Sequence, residues 1–309
     1  MRALACPASL KGVLSAAEAA AALAAGFRSA GWEADECPIA DGGEGTADVL
    51  HAAFGGDWRA AVVADPLGRP LRARWLALPD GTGVVESAAA IGLGVLEERE
   101  PLRASSRGLG ELIAAALAEE PRALIVGLGG VATVDGGSGL REVVPSLDVP
   151  TVALCDVRTA LADAARLYGP QKGASPEAVV ELERRIAAMQ DLTPYADIPG
   201  AGAAGGLGAA LAALGARLVP GARYVLERID VRALLRESDL AVTGEGAVDA
   251  TTREGKAPWE ARRIAEEEGV RCVLFGGRVL VDAPDAYALS GDKSRAAEDL
   301  SALGRSLVG

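Results

Sequence analysis

Two glycine-rich segments place an acid and closely spaced glycines immediately before a predicted helix. They read DGGEG at 41–45 and DGGSG at 135–139. Because the first N–H groups of a helix lack intrahelical acceptors and the helix dipole favours negative charge there, such a turn can bind a phosphate or a carboxylate. A plain tight turn is the alternative for each, and chance in a glycine-rich chain can explain their similarity. The glycines concerned are Gly42, Gly43, Gly45, Gly136, Gly137 and Gly139.

Two lysines are placed where they could meet an anionic ligand. Lys11 follows the first predicted strand in ASLKG, and Lys256 lies between a glycine-rich loop and a predicted helix in REGKAP. Either ammonium group could bind phosphate or carboxylate, and a solvated surface role is the alternative. The chain has no GxxxxGKS or GxxxxGKT motif, which excludes a standard P-loop.

Three acids follow predicted apolar strands. Glu245 and Asp249 lie in TGEGAVD, and Asp156 lies in CDV. Ligands of open parallel sheets bind beyond the carboxyl ends of the strands, so these acids could hold a metal ion or a hydroxyl group. Helix caps and turn formers are the alternative interpretation. Glycine loops, cations and carboxylates are together the parts that a phosphoryl-transfer enzyme requires.

The elements that must position these residues alternate between strand and helix. Residues 1–8 predict a buried strand, and Ser15 with Glu18 forms a capping box that opens a helix to about Gly31. WEADECPI predicts a second strand, and the DGGEG turn leads directly into a helix. From Asp57 to about Gly94, three β-like runs separated by turns predict a meander.

Alternation resumes after the meander. Strands are predicted for ALIVGLGG and for residues 151–157, and a helix start is predicted at Ser175 with Pro176. A second α/β pattern follows, consisting of SDLAVTGEG, APWEARRIAEEEG and VRCVLFGG. We expect this last pattern to join the N-terminal elements in one sheet. Two lobes are predicted: a discontinuous Rossmann-like lobe of 1–60 with 237–309, and a second α/β lobe of 61–236.

Composition limits the classes of function. A chain of 309 residues can form two domains. The formal net charge of −12 disfavours nucleic acid as a partner and favours metal cations such as Mg²⁺. No signal segment and no run of 18 apolar residues is present, so we expect a cytoplasmic protein without membrane contact.

The thiols and the single imidazole predict no nucleophile or zinc site. The four cysteines are far apart without a CxxC pair and are interpreted as reduced core residues. His51 lies in a predicted helix, where a packed or solvated role is expected.

The order of the motifs resembles the bacterial glycerate kinase family, of the glycerate 2-kinase type, over nearly the whole chain. The matching segments include PASLKGVLSAAEAA, IADGGEGTADVL, DPLGRP, VVESAAAIGL, GLGELI, IVGLGGVATVDGGSGL, CDV, YGPQKGAS, PGAGAAGGLGAAL and TGEGAVDATTREGKAP. The resemblance implies an α/β protein of two lobes, one Rossmann- or flavodoxin-like with a mostly parallel sheet and one with a mixed sheet, with the active site in the cleft between them.

The same resemblance implies MgATP-dependent phosphorylation of D-glycerate, with 2-phosphoglycerate as the favoured product. ATP and Mg²⁺ are the implied cofactors, a small hydroxy acid is the implied partner, and a homo-oligomer is left open. We assign catalytic roles to Lys11, Asp135, Asp156 and Asp249, metal contacts to Glu245 and Asp249, and substrate or phosphate contacts to Ser9, Asp41, Gly42, Gly43, Glu44, Gly136, Gly137, Gly244 and Lys256.

Four positions depart from the family's polar residues in segments expected to face the site. They are Ala8, Val134, Ala247 and Thr251. The second lobe is also shortened, because only REVVPSLDVP separates the DGGSG helix from the CDV strand, and Thr159-Ala160-Leu161 replaces NPL. Two alternatives to glycerate phosphorylation therefore stay open: an impaired homologue that binds a nucleotide or small acid without turnover, and a kinase for another small hydroxy acid.

Overall fold

The computed structural model describes residues 1–281 and 285–309, without the side chains of Thr251 and Glu254. Within this part of the chain the strands are β1 (Arg2–Ala5), β2 (Glu33–Glu36), β3 (Asp57–Ala64), β4 (Pro70–Ala77), β5 (Thr82–Glu86), β6 (Ala123–Gly127), β7 (Thr151–Cys155), β8 (Arg217–Pro220), β9 (Leu240–Val248), β10 (Arg271–Val279) and β11 (Ala286–Ala288).

The α-helices of the described chain connect these strands. They are α1 (Ala16–Ser29), α2 (Thr46–Phe54), α3 (Ser87–Ile91), α4 (Arg107–Leu117), α5 (Ser138–Val143), α6 (Ala164–Tyr168), α7 (Pro176–Ala187), α8 (Ala203–Ala213), α9 (Gly221–Arg228), α10 (Val231–Arg236), α11 (Ala257–Glu267) and α12 (Ala296–Val308). Short 3₁₀ turns include Pro170–Lys172 and Ala250–Glu254.

The chain divides into two compact units. The first unit is Met1–Asp41, Asp48–Ala53 and Ala222–Gly309, and the second unit is Gly42–Ala47 and Phe54–Gly221. The domain boundaries predicted from the sequence stay a prediction. No described helix has both the length and the apolar character needed to cross a membrane.

A parallel sheet in the order β11-β10-β9-β1-β2 forms the centre of the first unit. Side chains alternate between the two faces of a strand. Ala3 of β1 accordingly packs with α1 and α12, where Phe27 and Leu300 are fully buried. Leu4 packs on the other face with residues of α9, α10 and α11 such as Ile264. This parallel sheet places the carboxyl ends of β1, β2 and β9 at one edge.

The second unit contains a mixed sheet in the order β3-β4-β5-β6-β7-β8. β3, β4 and β5 pair antiparallel, whereas β5 through β8 pair parallel. The predicted meander is confirmed, except that GVVESAAA leaves the sheet after Glu86 and continues as α3. Alanine favours helix more strongly than strand, which explains the change at Ser87. The predicted mixed α/β fold class is confirmed.

Local signals at two helix starts are confirmed. Ser15 accepts a hydrogen bond from the backbone of Glu18, and the Glu18 carboxylate accepts from the backbone of Ser15. Ser175 caps α7 through the backbone N–H of Ala178. All four cysteines are buried free thiols, as predicted.

Candidate functional site

Glu245 is the centre of a cluster of polar residues in the first unit. Its side chain is 15% exposed, and its Oε1 accepts a 2.7 Å hydrogen bond from the Thr252 hydroxyl. The Nζ atom of Lys256 lies 3.5 Å from its Oε2. Burial raises the pKa of Glu245, and the charge of Asp41 also raises it, whereas Thr252 and Lys256 oppose the increase. Glu245 and Asp41 are therefore close enough for their charges to interact.

Thr252 is a member of this cluster that the sequence analysis missed. It is fully buried, and its hydroxyl also accepts a 3.0 Å hydrogen bond from the backbone N–H of Asp249. Thr252 thus connects the Asp249 turn to the carboxylate of Glu245. The sequence does contain a signal for this residue: a hydroxyl side chain stands three positions after an acid, in a turn that follows a buried strand.

The close pairing of β9 and β10 places Glu245. A Cβ atom at Gly244 would lie 2.2 Å from the carbonyl oxygen of Phe275, so only glycine fits at this position. On the other side of β9, the N–H of Ala8 donates a 2.9 Å hydrogen bond to the Gly244 carbonyl. Glu245 is therefore the residue directly beyond the point where the β1 segment stops pairing with β9.

The two predicted lysines differ in their surroundings. Lys11 is exposed, and its backbone N lies 3.7 Å from the position that a Cβ on Gly246 would take. Lys256 is half-buried and precedes α11 as its N-terminal flanking residue, without a side-chain cap. Both lysines therefore belong to the first unit and to segments beside the end of β9, and Ser9 next to Lys11 is exposed.

The helix N-terminus that follows the DGGEG turn already has a protein acceptor for one of its N–H groups. The backbone N–H of Ala47, in the first turn of α2, donates a 2.7 Å hydrogen bond to Oε1 of Glu86. A protein carboxylate therefore already meets this helix N-terminus. Gly42 is buried, Gly43 is half-buried and Glu44 is exposed. The proposed phosphate contacts of this turn stay a prediction.

The DGGSG turn is organised by the carboxylate of Asp135. Its Oδ2 accepts hydrogen bonds from the Ser106 backbone N–H at 2.7 Å and hydroxyl at 2.8 Å, and from the Gly139 N–H at 3.3 Å. Its Oδ1 accepts from the Gly137 N–H at 3.2 Å. Asp135 thus caps α5 and ties it to the residue preceding α4. Its predicted part in orienting a hydroxyl stays a prediction.

Asp156 has a more open position. It follows β7 directly and is exposed, whereas the neighbouring Cys155 is buried. Burial raises the pKa of the Cys155 thiol to about 11, and the negative charge of Asp156 adds to the effect. Among the predicted site acids of the second unit, Asp156 and Glu44 are exposed, whereas Asp135 is half-buried.

One of the four departures from the family is packed in an apolar cluster. Val134 is fully buried with Leu161, Leu182 and Ile186, and the loss of a site contact at position 134 stays a prediction. An apolar residue is stabilising in such a cluster, which explains the valine. Ala8 and Ala247 are half-buried, and the Thr251 side chain lies outside the described residues.

The donor set in the first unit is compatible with a nucleotide-bound metal. No group of three or more metal-binding side chains is present among the described residues. Mg²⁺ commonly binds through one or two carboxylates together with substrate phosphates, so a full protein cage is not required. Neighbouring carboxylates such as Glu245 and Asp41 repel one another, and a cation would relieve that repulsion.

These features define an α/β protein whose candidate ligand-binding residues lie in or after the carboxyl-terminal parts of parallel strands, as in many α/β enzymes. The Glycerate kinase family matches residues 3–144 and 140–297. The chain belongs to the glycerate kinase family, and it is accordingly an enzyme of the kinase class.

Named relatives and a solved structure extend this finding. A glycerate kinase of Bacillus subtilis is 36% identical over 93% of this chain and 87% of its own length. A glycerate 2-kinase of Escherichia coli is 37% identical over 86% of this chain and 82% of its own length. A crystal structure provisionally named as glycerate kinase 2 of Salmonella typhimurium LT2 covers 100% of this chain and 97% of that one, at 30% identity and a TM-score of 0.85.

Proposed function

We propose that this protein phosphorylates D-glycerate with ATP as the phosphoryl donor and 2-phosphoglycerate as the product. The observation that carries the proposal is the family match over nearly the whole chain together with the named relatives. The name of the Escherichia coli relative supports position 2 as the acceptor. In the reaction, the glycerate hydroxyl oxygen forms a bond to the γ-phosphorus as the bond to the β,γ-bridging oxygen breaks, so that ADP leaves and the hydroxyl proton passes to a carboxylate.

Glu245, Thr252 and Lys256 support the proposed chemistry in the first unit. The ammonium group of Lys256 is held near Glu245 and can bind a phosphate or the glycerate carboxylate. Thr252 fixes the orientation of the Glu245 carboxylate. We assign Lys11 the same class of contact as Lys256, because it follows β1 and its backbone lies beside Gly246 of β9.

Glu245 and Asp249 are the residues we propose to hold Mg²⁺. When bound, Mg²⁺ neutralises charge on the phosphate oxygens. The protein's own contribution is to orient these two acids: the Thr252 hydroxyl bonds both the Glu245 carboxylate and the backbone of Asp249.

In the second unit we favour Asp156 over Asp135 as the acid that orients the glycerate hydroxyl. Both carboxylate oxygens of Asp135 already accept hydrogen bonds from Ser106 and the start of α5. Asp156 is exposed at the end of β7. A group that accepts a substrate proton must be within hydrogen-bond reach of it, and an exposed carboxylate meets this condition more readily.

A direct assay tests the proposal. Purified protein is incubated with MgATP and D-glycerate, ADP release is followed, and the product is identified by ³¹P NMR. Asp249→Ala and Lys256→Met are expected to lose most of the activity, whereas Lys293→Met, which changes an exposed lysine, is expected to retain it. ADP release that is the same in the wild type and in Asp249→Ala contradicts the proposal, and 3-phosphoglycerate as product contradicts only the position.

Turnover is favoured over binding without turnover. The relatives that the chain matches over most of its length are named as glycerate kinases, which favours turnover. A thermal-shift titration with ATP, Mg²⁺ and glycerate, combined with the assay, separates the two functions, because a ligand that binds the folded state alone stabilises it by RT ln(1 + [L]/Kd). If ligands stabilise the folded protein but no small hydroxy acid is phosphorylated, the protein is a homologue that binds without turnover.

A further inference from the structure

Lys172 is a buried cation in the second unit. It retains 3% of its accessible surface, and its Nζ donates a 2.8 Å hydrogen bond to the carbonyl oxygen of Thr133. This is the only hydrogen bond of the amine to any residue that the structure describes. An ammonium group carries three donors, and burying it with few partners costs free energy. An apolar residue would avoid that cost, so the lysine has a role beyond filling space.

The acceptor of this bond is the first residue of the loop Thr133–Gly137. A second attachment holds the same loop: the N–H of Gly136 donates to the carbonyl of Gly205 at 3.1 Å. Gly205 lies in a left-handed stretch at the start of α8, and a Cβ there would lie 2.1 Å from the Thr133 carbonyl oxygen. The carbonyl that Lys172 binds is therefore held between the lysine and a close backbone approach.

The position of this loop determines the position of Asp135. This residue follows Thr133 by two positions, and its carboxylate fixes Ser106 and the start of α5. The charge of Lys172 also interacts with that of Asp135. A displacement of the Thr133 carbonyl therefore moves the cap of α5 with it. In addition, the Thr133 hydroxyl is buried and has no hydrogen-bond partner within the described residues.

We propose that Lys172 is a positioning residue that holds the Thr133–Gly137 loop and couples the geometry of this loop to the binding of a proton. The hydrogen bond to Thr133 survives in both charge states, because a neutral amine still has N–H donors. The attraction to Asp135 exists only when the amine is charged. Proton loss therefore leaves the loop with one attachment to Lys172 instead of two. Any effect on catalysis rests on the proposed function, whereas the coupling itself does not.

The charged surroundings of Lys172 agree with a titration near neutral pH. Burial lowers the pKa of Lys172 to about 7, and Asp135 opposes the decrease. Three other charged or titratable residues of the described chain near its turn have partners of their own. Arg99 donates to the Gln171 carbonyl, and on α6, Arg166 pairs with Asp163 and Tyr168 bonds the Thr159 hydroxyl.

Side-chain NMR of the wild-type protein tests the proposal without an activity assay. The chain has only four lysines, Lys11, Lys172, Lys256 and Lys293, so ¹³Cε-labelled lysine gives few signals. Lys11→Arg, Lys256→Arg and Lys293→Arg assign the fourth signal by elimination. We expect the Lys172 signal to titrate near neutral pH, and the ¹⁵N amide of Gly136 to shift with the same midpoint. Lys172→Met is expected to abolish the Gly136 shift. A Lys172 midpoint near the usual lysine value, or a Gly136 amide that does not follow it, overturns the proposal.

Kinetics separate a positioning role from a structural one. With glycerate as substrate, Lys172→Met is expected to lower kcat by about tenfold or more although the variant stays folded, because small displacements of aligned groups reduce rates strongly. The change of kcat near pH 7 in the wild type should disappear, and Lys293→Met should retain it. Wild-type kcat and pH profile in Lys172→Met overturn the positioning role. If the wild type itself does not phosphorylate glycerate, the proposed function fails, and the NMR titration still decides the coupling.

Discussion

The backbone N–H of Ala47 and the carboxylate of Glu86 form a 2.7 Å hydrogen bond at the first turn of α2. The two residues are far apart in the sequence, and their bond ties the DGGEG turn to the end of β5. Side-chain acceptors at a helix N-terminus satisfy N–H groups that have no intrahelical partner. The Glu86 carboxylate therefore satisfies the N–H group of Ala47.

Replacing Glu86 is expected to destabilise the protein. Glu86→Ala should lower the free energy of unfolding by about 1–2 kcal/mol, the usual effect of losing a side-chain cap, and urea unfolding measures it. Glu86→Gln keeps an acceptor oxygen and should recover part of the loss. Glu98→Ala, at an exposed position, is the control. Equal urea midpoints for Glu86→Ala and the wild type would show that the cap contributes nothing.

Removing the Thr252 hydroxyl is expected to impair catalysis more than folding. Thr252→Val keeps the shape but leaves the Glu245 carboxylate without its 2.7 Å donor and the Asp249 N–H without its acceptor. We expect kcat/KM for glycerate to fall by about tenfold to a hundredfold, within the range for lost orienting hydrogen bonds. Thr252→Ser should restore most of the activity, since it restores the hydroxyl.

The matched control for this variant is Thr193→Val, at an exposed position of the second unit. It makes the same chemical change away from the candidate site and should leave kcat/KM as in the wild type. Activity of Thr252→Val equal to that of Thr193→Val would contradict the assigned role of Thr252.

Signals that act over a few residues made part of the fold predictable. The Ser15–Glu18 capping box and the Ser175 cap depend on neighbours three residues away, so the sequence contains both partners side by side. Alternation of strands and helices likewise predicted the parallel sheet, and with it the acids at the strand ends. Glu245 was found in this way, because parallel strands direct their carboxyl ends to one edge, although the structure places it within β9 and only Asp249 beyond that strand.

Contacts between distant segments were not predictable. Glu86 meets Ala47, and Lys172 meets Thr133, only because the tertiary fold brings the segments together. The burial of Val134 was not predictable for the same reason, since it depends on helices that come later in the chain.

The buried thiols are expected to be unreactive in the native protein. Burial raises the pKa of Cys37 and of Cys272 to about 12, and that of Cys6 well above its usual value, so little thiolate is present at pH 8. Labelling with Ellman's reagent should be slow in buffer, and its rate should rise with urea as the protein unfolds. Complete labelling within seconds in buffer would show that the thiols are accessible.

The charge of Lys172 is expected to make the wild type gain stability as the pH rises. Its pKa is about 7 in the folded protein and 10.5 for a solvated lysine of the unfolded chain, so between these values the unfolded chain binds more protons. The free energy of unfolding should then increase with pH, by at most about 1.4 kcal/mol per pH unit from this group. Below about pH 7 both states are protonated and the slope from this group vanishes.

The difference in slope between variants isolates this contribution, because the other titrating groups are common to all of them. Urea unfolding from pH 6 to pH 10 should show a steeper rise for the wild type than for Lys172→Met, while Lys293→Met follows the wild type. At the acidic end Lys172→Met should be the more stable protein, since it buries no charge there. Parallel curves for the wild type and Lys172→Met would mean that the lysine keeps its proton when buried, which contradicts this prediction.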